Sequence, residues 1–116
     1  MRHYLALRRR AITLALALSA GAALAQTPLS EPAKRAFADT FRPACVAAQR
    51  SQPGAEVLPP EWIAEYCACA ARFTVDTLTA EDLQEALRSG NHAYVDAVAQ
   101  AGGVVCLRRL ARHWGG

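Results

Sequence analysis

Four cysteines are the residues of this sequence whose type and spacing could carry chemistry. They are Cys45, Cys67, Cys69 and Cys106, and a single residue separates the middle two. Cysteine thiolates can bind zinc or copper, exchange electrons, or join in disulfide bonds. An even number of cysteines in a short exported domain is typical of a disulfide framework, because the compartment is oxidising and a small core needs covalent support. We therefore predict two structural disulfides.

Thiol redox chemistry and metal binding are the competing interpretations of Cys67 and Cys69. Paired cysteines of structural zinc sites are usually separated by two to four residues, and here only Ala68 lies between them. A redox cysteine needs a thiol of low pKa, which a helix N-terminus or neighbouring cations provide. These two cysteines fall in the middle of a predicted helix, with Glu65 nearby and Arg72 as the one helpful cation. We predict no cofactor and keep redox or copper/zinc handling as the alternative function.

The spacing of Cys67 and Cys69 also constrains the disulfide pairing. Residues i and i+2 of a helix point about 200° apart, so these two cysteines face different neighbours and should not bond each other. Cys45, near the end of the preceding helix, and Cys67, near the start of the next, should lie at similar heights. This favours Cys45–Cys67 with Cys69–Cys106. The pairing of 45 with 69 and 67 with 106 remains open, because connectivity does not follow from sequence alone.

No other arrangement in the sequence predicts catalysis. The motifs of serine hydrolases, phosphate-binding loops and zinc metalloproteases are absent from the sequence. Two acidic pairs at helical spacing could imitate paired catalytic carboxylates: Glu61 with Glu65, and Glu81 with Glu85. The first member of each pair falls in a first helical turn, where negative charge complements the helix dipole. We therefore predict that the protein is not an enzyme.

The end of the sequence carries its one local cluster of basic and aromatic residues. Arg108, Arg109, Arg112 and Trp114 fall within seven residues. They could form a basic amphipathic surface for a partner or an anionic membrane. The competing interpretation is a solvated last helical turn, whose cations the helix dipole favours.

Residues 1–25 have the pattern of a signal peptide. Arg2 and the arginines at 8–10 precede an apolar run at 11–18, and Ala23-Leu24-Ala25 is a cleavage site of small residues. The run is shorter than a membrane span of about 20 residues. We predict cleavage before Gln26, a periplasmic or secreted protein, and no stable membrane anchor afterwards. The general secretory route is the default, and the twin-arginine route stays open.

Cleavage would change the charge of the protein. The full sequence has 13 Lys and Arg against 10 Asp and Glu, for a net charge of +3. Four of the arginines belong to residues 1–25, which leaves nine basic and ten acidic residues in the mature chain. The basic balance of the precursor therefore gives no reason to expect nucleic acid as a partner.

The remaining residues, 26–116, predict one small all-α domain of about four helices stapled by the disulfides. Ser30 can cap the first helix, in which Glu31 and Arg35 form an i,i+4 pair. Pro43 should kink or break this helix, because proline lacks the backbone N–H. Pro60 occupies the first-turn position that proline tolerates and should begin the second helix.

Capping signals also delimit the third and fourth helices. Thr79 and Asp82 resemble a capping box, with aspartate in place of the usual glutamate. This third helix should end near Ser89-Gly90. Asn91 can cap the fourth helix, which we expect to be interrupted at Gly102-Gly103 and to resume from 104 to 113.

The order of these features resembles that of small, alanine-rich bacterial periplasmic proteins with four cysteines. An export signal is followed by Cys45, the motif Tyr66-Cys67-Ala68-Cys69, the segment Leu78-Thr79-Ala80-Glu81-Asp82-Leu83, and Cys106. The resemblance implies helices and disulfides, and no activity is assigned to this type of protein. We therefore expect a non-catalytic binding or accessory module with a partner in the cell envelope.

Overall fold

A computed structural model describes residues 26–114, and the predicted signal peptide, residues 1–25, lies outside the described residues. The described chain forms four α-helices and one short 3₁₀ turn: α1 (Glu31–Arg50), the 3₁₀ turn (Ala55–Val57), α2 (Pro60–Thr77), α3 (Ala80–Ser89) and α4 (Ala93–Trp114). Residues 26–114 contain no β-strand, only an isolated bridge between Pro28 and Thr79. The prediction of a small all-α domain with two disulfides is confirmed.

Local capping residues begin and end the helices as predicted. The Ser30 hydroxyl accepts a hydrogen bond from the first turn of α1. Thr79 and Asp82 form a reciprocal capping box, with hydrogen bonds of 3.1 and 2.8 Å between side chain and backbone. Gly90 ends α3 at a φ of 72°, which glycine adopts without strain. The Asn91 side chain accepts a hydrogen bond from the start of α4. These bonds pair backbone groups that a helix end leaves without a partner.

Pro43 lies inside α1, which continues through it, so the predicted break does not occur. The proline is exposed, and its missing N–H removes one bond of the helical ladder. The helix is held on both sides of this position, by buried Ala38 before it and by the Cys45 disulfide after it. These tertiary contacts keep the axis continuous where local propensity would interrupt it.

The glycine pair of α4 does not interrupt its helix, and that prediction was wrong. A Cβ at Gly102 would lie 2.8 Å from Phe73 Cδ1, and one at Gly103 would lie 2.6 Å from the hydroxyl oxygen of Tyr66. Both aromatic residues belong to α2. The two glycines therefore let α2 and α4 approach closely, and α4 remains one continuous helix.

Ion pairs at the start of α1 also differ from the prediction. Glu31 contacts Lys34 at 3.7 Å instead of Arg35. Lys34 Nζ lies 3.1 Å from Asp76 Oδ1 on α2. The hydrogen bond and the charge of Asp76 raise the pKa of Lys34 above its ordinary value. This lysine links the first turns of α1 to the end of α2.

The hydrophobic core cluster lies at one end of the molecule. Leu29, Val75, Leu78 and Val98 are buried together, and Phe37 and neighbouring side chains pack against them. Leu29 belongs to the segment before α1, so the first residues of the described chain take part in the core. The cluster joins the start of α1, the end of α2 and the first turns of α4.

Helix α2 lies at the centre of the architecture. Both α1 and α4 pack on it, and α3 packs on α4. No Cα atom of α1 lies within 8 Å of a Cα atom of α4. The backbones of the two outer helices are therefore each held by α2, and their side chains share the core cluster at one end.

Candidate binding surface between the stapled helices

Two disulfides join the outer helices to α2. Cys45–Cys67 connects α1 to α2 with a Cα–Cα distance of 5.7 Å, and Cys69–Cys106 connects α2 to α4 with a Cα–Cα distance of 5.8 Å. Both distances lie within the usual range for disulfides. The favoured pairing is confirmed, and the alternative of 45 with 69 and 67 with 106 is not formed.

The disulfides lie at a different level of α2 from the hydrophobic core cluster. Cys67 and Cys69 bond in different directions from within one turn of α2, so both outer helices are fixed at one level of the central helix. At this level the buried residues of α2 are small, namely Cys67, Ala70 and Ala71. Covalent bonds hold the helices together where large core side chains do not.

The disulfides bear directly on the thiol chemistry considered above. All four cysteines are bonded in pairs. Among residues 26–114, no group of three or more histidine, cysteine, aspartate or glutamate side chains could hold a metal ion. Thiol redox or metal handling through Cys67 and Cys69 would first require reduction of these bonds.

An apolar groove of about 420 Å³ opens between α1 and α4, with α2 as its floor. No lining residue is charged: Phe41, Ala44, Cys45, Gln49, Tyr66, Ala70, Ala99, Gln100, Gly103, Val104 and Leu107. Val104 and Leu107 are 54% and 49% exposed, so apolar side chains of α4 project beside the groove. Sequence reasoning did not find this groove, because it depends on the separation of α1 from α4.

The opposite side of α1 and α2 is charged. A cavity of about 300 Å³ is lined by a mixture of basic and acidic residues: Glu31, Lys34, Arg35, Asp39, Arg42, Arg72 and Asp76, with Ala38 and Val75. The two sides of the layer formed by α1, α2 and α4 therefore differ in character. One is apolar and without charge, and the other carries charges of both signs.

The structure divides the basic and aromatic cluster at the end of α4 between two sides of the helix. Arg108, Arg109 and Arg112 are exposed, and Arg109 lines a cavity with Arg72 and Asp76 on the charged side. Trp114 comes seven residues after Leu107, so at about 100° per residue it lies close to Leu107 on the groove side. The three arginines share a face, and Trp114 lies outside it.

Trp114 is tied to α2 by a hydrogen bond. Its Nε1–H donates to Glu65 Oε2 at 3.2 Å. The side chain remains 47% exposed. Nearby on α2, the rings of Trp62 and Tyr66 stack with centroids 5.5 Å apart. Aromatic side chains therefore cluster at the end of the groove where α4 ends and α2 begins.

Comparison with protein-family models, with curated proteins and with solved structures finds no match for this chain. Among residues 26–114, no helix combines the length and the apolar character needed to span a membrane. The surfaces described above are therefore the basis for a functional proposal.

Proposed function

We propose that this chain is a small exported, non-catalytic helical protein that acts as a binding or accessory module of the cell envelope, in the periplasm or as a secreted protein. The observation that carries the proposal is the covalent fixing of α1 and α4 on α2 at one level. A surface fixed before binding loses less conformational freedom when a partner docks, which favours affinity.

The basic face of α4 is the proposed contact with an envelope partner. Arg108, Arg109 and Arg112 are exposed along successive turns. In the described chain, residues 26–114, the ion pairs involve other basic residues, Lys34 and Arg88. Exposed arginines on one helical face favour association with an acidic surface and strengthen it at low salt.

Chemical cross-linking in intact cells tests this proposal. The reversal Arg108→Glu with Arg112→Glu should abolish the cross-linked species, whereas Arg88→Glu on α3 should leave it intact. Fractionation of the cells should place the wild-type protein in the envelope compartment. A cross-link that survives the double reversal, or wild-type protein retained in the cytoplasm, would contradict the proposal.

The intact mass of the exported protein distinguishes the binding module from the thiol or metal-handling alternative. A chain that lacks four hydrogens relative to its reduced form has both disulfides and agrees with the binding module. Free thiols at Cys67 and Cys69 in the exported protein would favour the alternative.

A further inference from the structure

The exposed side of α4 carries a regular seam of mostly apolar residues. Their spacing alternates between three and four residues, as in the core positions of a coiled coil. All six members are exposed: Ala97, Gln100, Val104, Leu107, Ala111 and Trp114. This seam lies beside the face of α4 that packs on α2, where Cys106 and Leu110 are buried. Such a seam on an exposed face is suited to contact with a further helix.

A matching seam lies across the groove on α1. The same alternation of four and three residues connects its members: Phe37, Phe41, Ala44 and Ala48. Phe41 and Ala44 line the groove directly, and Ala44 and Ala48 are exposed. The two seams face a common space because α1 and α4 are both fixed to α2 with no pair of their Cα atoms within 8 Å. A helix placed in this groove would contact both seams.

The groove face contains both projections and recesses. Val104 and Leu107 project from α4, whereas Ala44, Ala70 and Ala99 leave space in the groove. Large side chains that enter holes between small ones are the usual packing of helix on helix. One surface therefore supplies both parts, as an interface between two identical copies requires.

The charge distribution also favours a second copy as the occupant. An interface around a twofold axis brings the same surface of both copies together, so like charges on it would repel. The residues that line the groove carry no charge. Seven charged side chains of α1 and α2 line the cavity on the other side of the layer, and Glu65 contacts Trp114 at the end of the groove.

The face formed by α1 and α4 approaches the size of a standard interface. Helix α1 has 20 residues. At 1.5 Å per residue, two such helices side by side cover about 30 Å by 20 Å, or roughly 600 Å² in projection. A standard interface buries about 800 Å² of accessible surface on each partner, and side chains make the accessible area larger than the projection.

From these observations we infer that the protein forms a twofold-symmetric dimer in which the α4 seam of each copy occupies the groove between α1 and α4 of the other. Helices α1 and α4 of both copies form a four-helix interface. The seam residues of α4 are buried in the dimer. Arg109 and Arg112 lie outside the seam, and Arg108, four residues after Val104, borders it. This inference goes beyond the proposed binding function, which uses the arginine face of α4.

Sedimentation equilibrium and light scattering of the oxidised mature protein test the inference. The wild-type protein should have twice the mass of one chain. Leu107→Asp places a charge in the seam, and Ala44→Glu places one in the groove wall. Each should raise the dimer dissociation constant by roughly a hundredfold, as expected for a central interface residue. Leu87→Asp is the matched control, because Leu87 is 81% exposed on α3 and lies outside the groove.

Far-UV circular dichroism separates loss of the dimer from loss of the fold. The seam variants should keep the helical content of the wild type and behave as monomers, and Leu87→Asp should remain a dimer. A monomeric wild type up to millimolar concentration would overturn the inference. So would a dimer that Leu107→Asp and Ala44→Glu leave intact. The cellular cross-link through Arg108 and Arg112 is measured separately, so either proposal can fail without the other.

Discussion

Glu81 binds Thr27 through both of its carboxylate oxygens. Oε2 accepts a hydrogen bond from the backbone N–H of Thr27 and Oε1 accepts one from its hydroxyl, each at 2.9 Å. The carbonyl oxygen of Thr27 accepts a bond from the N–H of Ala80 at 2.8 Å. The segment before α1 is thereby fastened to the start of α3, and Leu29 enters the core two residues later.

This contact predicts a specific dependence of stability on acid pH. The bonds from Thr27, the backbone bond above all, hold the pKa of Glu81 below its ordinary value. Because the folded pKa is the lower one, the stabilisation is complete above the unfolded pKa and is lost as pH falls through the folded pKa. The melting temperature of Glu81→Gln should therefore be lower than that of wild type at neutral pH. The difference should shrink on acidification below the ordinary glutamate range.

Glu61→Gln is the control for this experiment. Glu61 also lies in the first turn of a helix, but among residues 26–114 its carboxylate accepts no hydrogen bond from another side chain. It shares the helix-dipole contribution without the Thr27 contact. An equal effect of Glu61→Gln and Glu81→Gln at neutral pH would contradict the stabilising role of the Thr27–Glu81 contact.

The Thr27–Glu81 contact also makes the stability of the domain depend on where the signal peptide is cleaved. Cleavage before Gln26 retains Thr27 and Leu29, whereas cleavage four residues later would remove both from the folded domain. N-terminal sequencing of the exported protein should therefore return Gln26, as the small residues before it predict. A chain that begins at Met1 would show that the signal is retained. A chain that begins at Ser30 should be less stable than one that begins at Gln26.

Removal of either disulfide should destabilise the domain rather than remove a chemical step. Each bridge closes a loop, with sequence separations of 22 and 37 residues. Loss of a native disulfide costs about 2–5 kcal/mol in a small secreted domain, which is enough to unfold many at 37 °C. The single variants Cys67→Ser and Cys69→Ser should show this loss in denaturant unfolding.

Paired variants provide the control, because a single substitution leaves a thiol without its partner. Cys45→Ser with Cys67→Ser removes one bridge, and Cys69→Ser with Cys106→Ser removes the other. Both pairs should melt at lower temperature than wild type. If a single variant kept the wild-type melting temperature and lost a redox or metal-dependent activity, thiol handling would be the correct interpretation.

Local patterns predicted the features that short-range physics determines. The capping residues Ser30, Thr79 and Asn91 place the helix starts, since a side-chain acceptor three or fewer residues away satisfies the free backbone N–H groups. Helical geometry excluded a bond between Cys67 and Cys69, and the similar heights of Cys45 and Cys67 favoured the pairing that forms, although the alternative stayed open. Such arguments need only the residues of one helix and its nearest neighbours.

Features that depend on tertiary packing were not predicted. The groove exists because α2 holds the backbones of α1 and α4 apart, and the Thr27–Glu81 contact joins residues 54 positions apart. Neither feature produces a recognisable spacing of residues in the sequence. The apolar seam of α4 was the one available signal, since residues at coiled-coil spacing lie beside those that pack on α2. The predictions from the cysteines and arginines did not include this apolar seam.

The glycine pair of α4 supplies a prediction that distinguishes helix propensity from close packing. In a helix interior, Gly→Ala should stabilise by about 1 kcal/mol when nothing opposes the new methyl group. Here a Cβ at Gly102 would lie 2.8, 3.2 and 3.3 Å from three atoms of Phe73, including its Cβ. Rotation of the Phe73 ring moves Cδ1 but leaves Cγ and Cβ in place, at 3.2 and 3.3 Å from the new methyl group. Gly102→Ala should therefore destabilise by about 1–3 kcal/mol, the usual cost of overpacking.

Gly103→Ala should be destabilising in the wild type and rescued by Tyr66→Phe. The new Cβ would lie 2.6 Å from the Tyr66 hydroxyl oxygen, whereas the next atom, Cζ, is 3.7 Å away at ordinary contact distance. Removal of the hydroxyl removes the clash and leaves the gain in helix propensity, so Gly103→Ala should be neutral or stabilising in the Tyr66→Phe background. A double-mutant cycle in urea should give a coupling free energy of about 1–3 kcal/mol. Equal effects of Gly103→Ala in both backgrounds would show that the Tyr66 hydroxyl does not set the approach of α4 to α2.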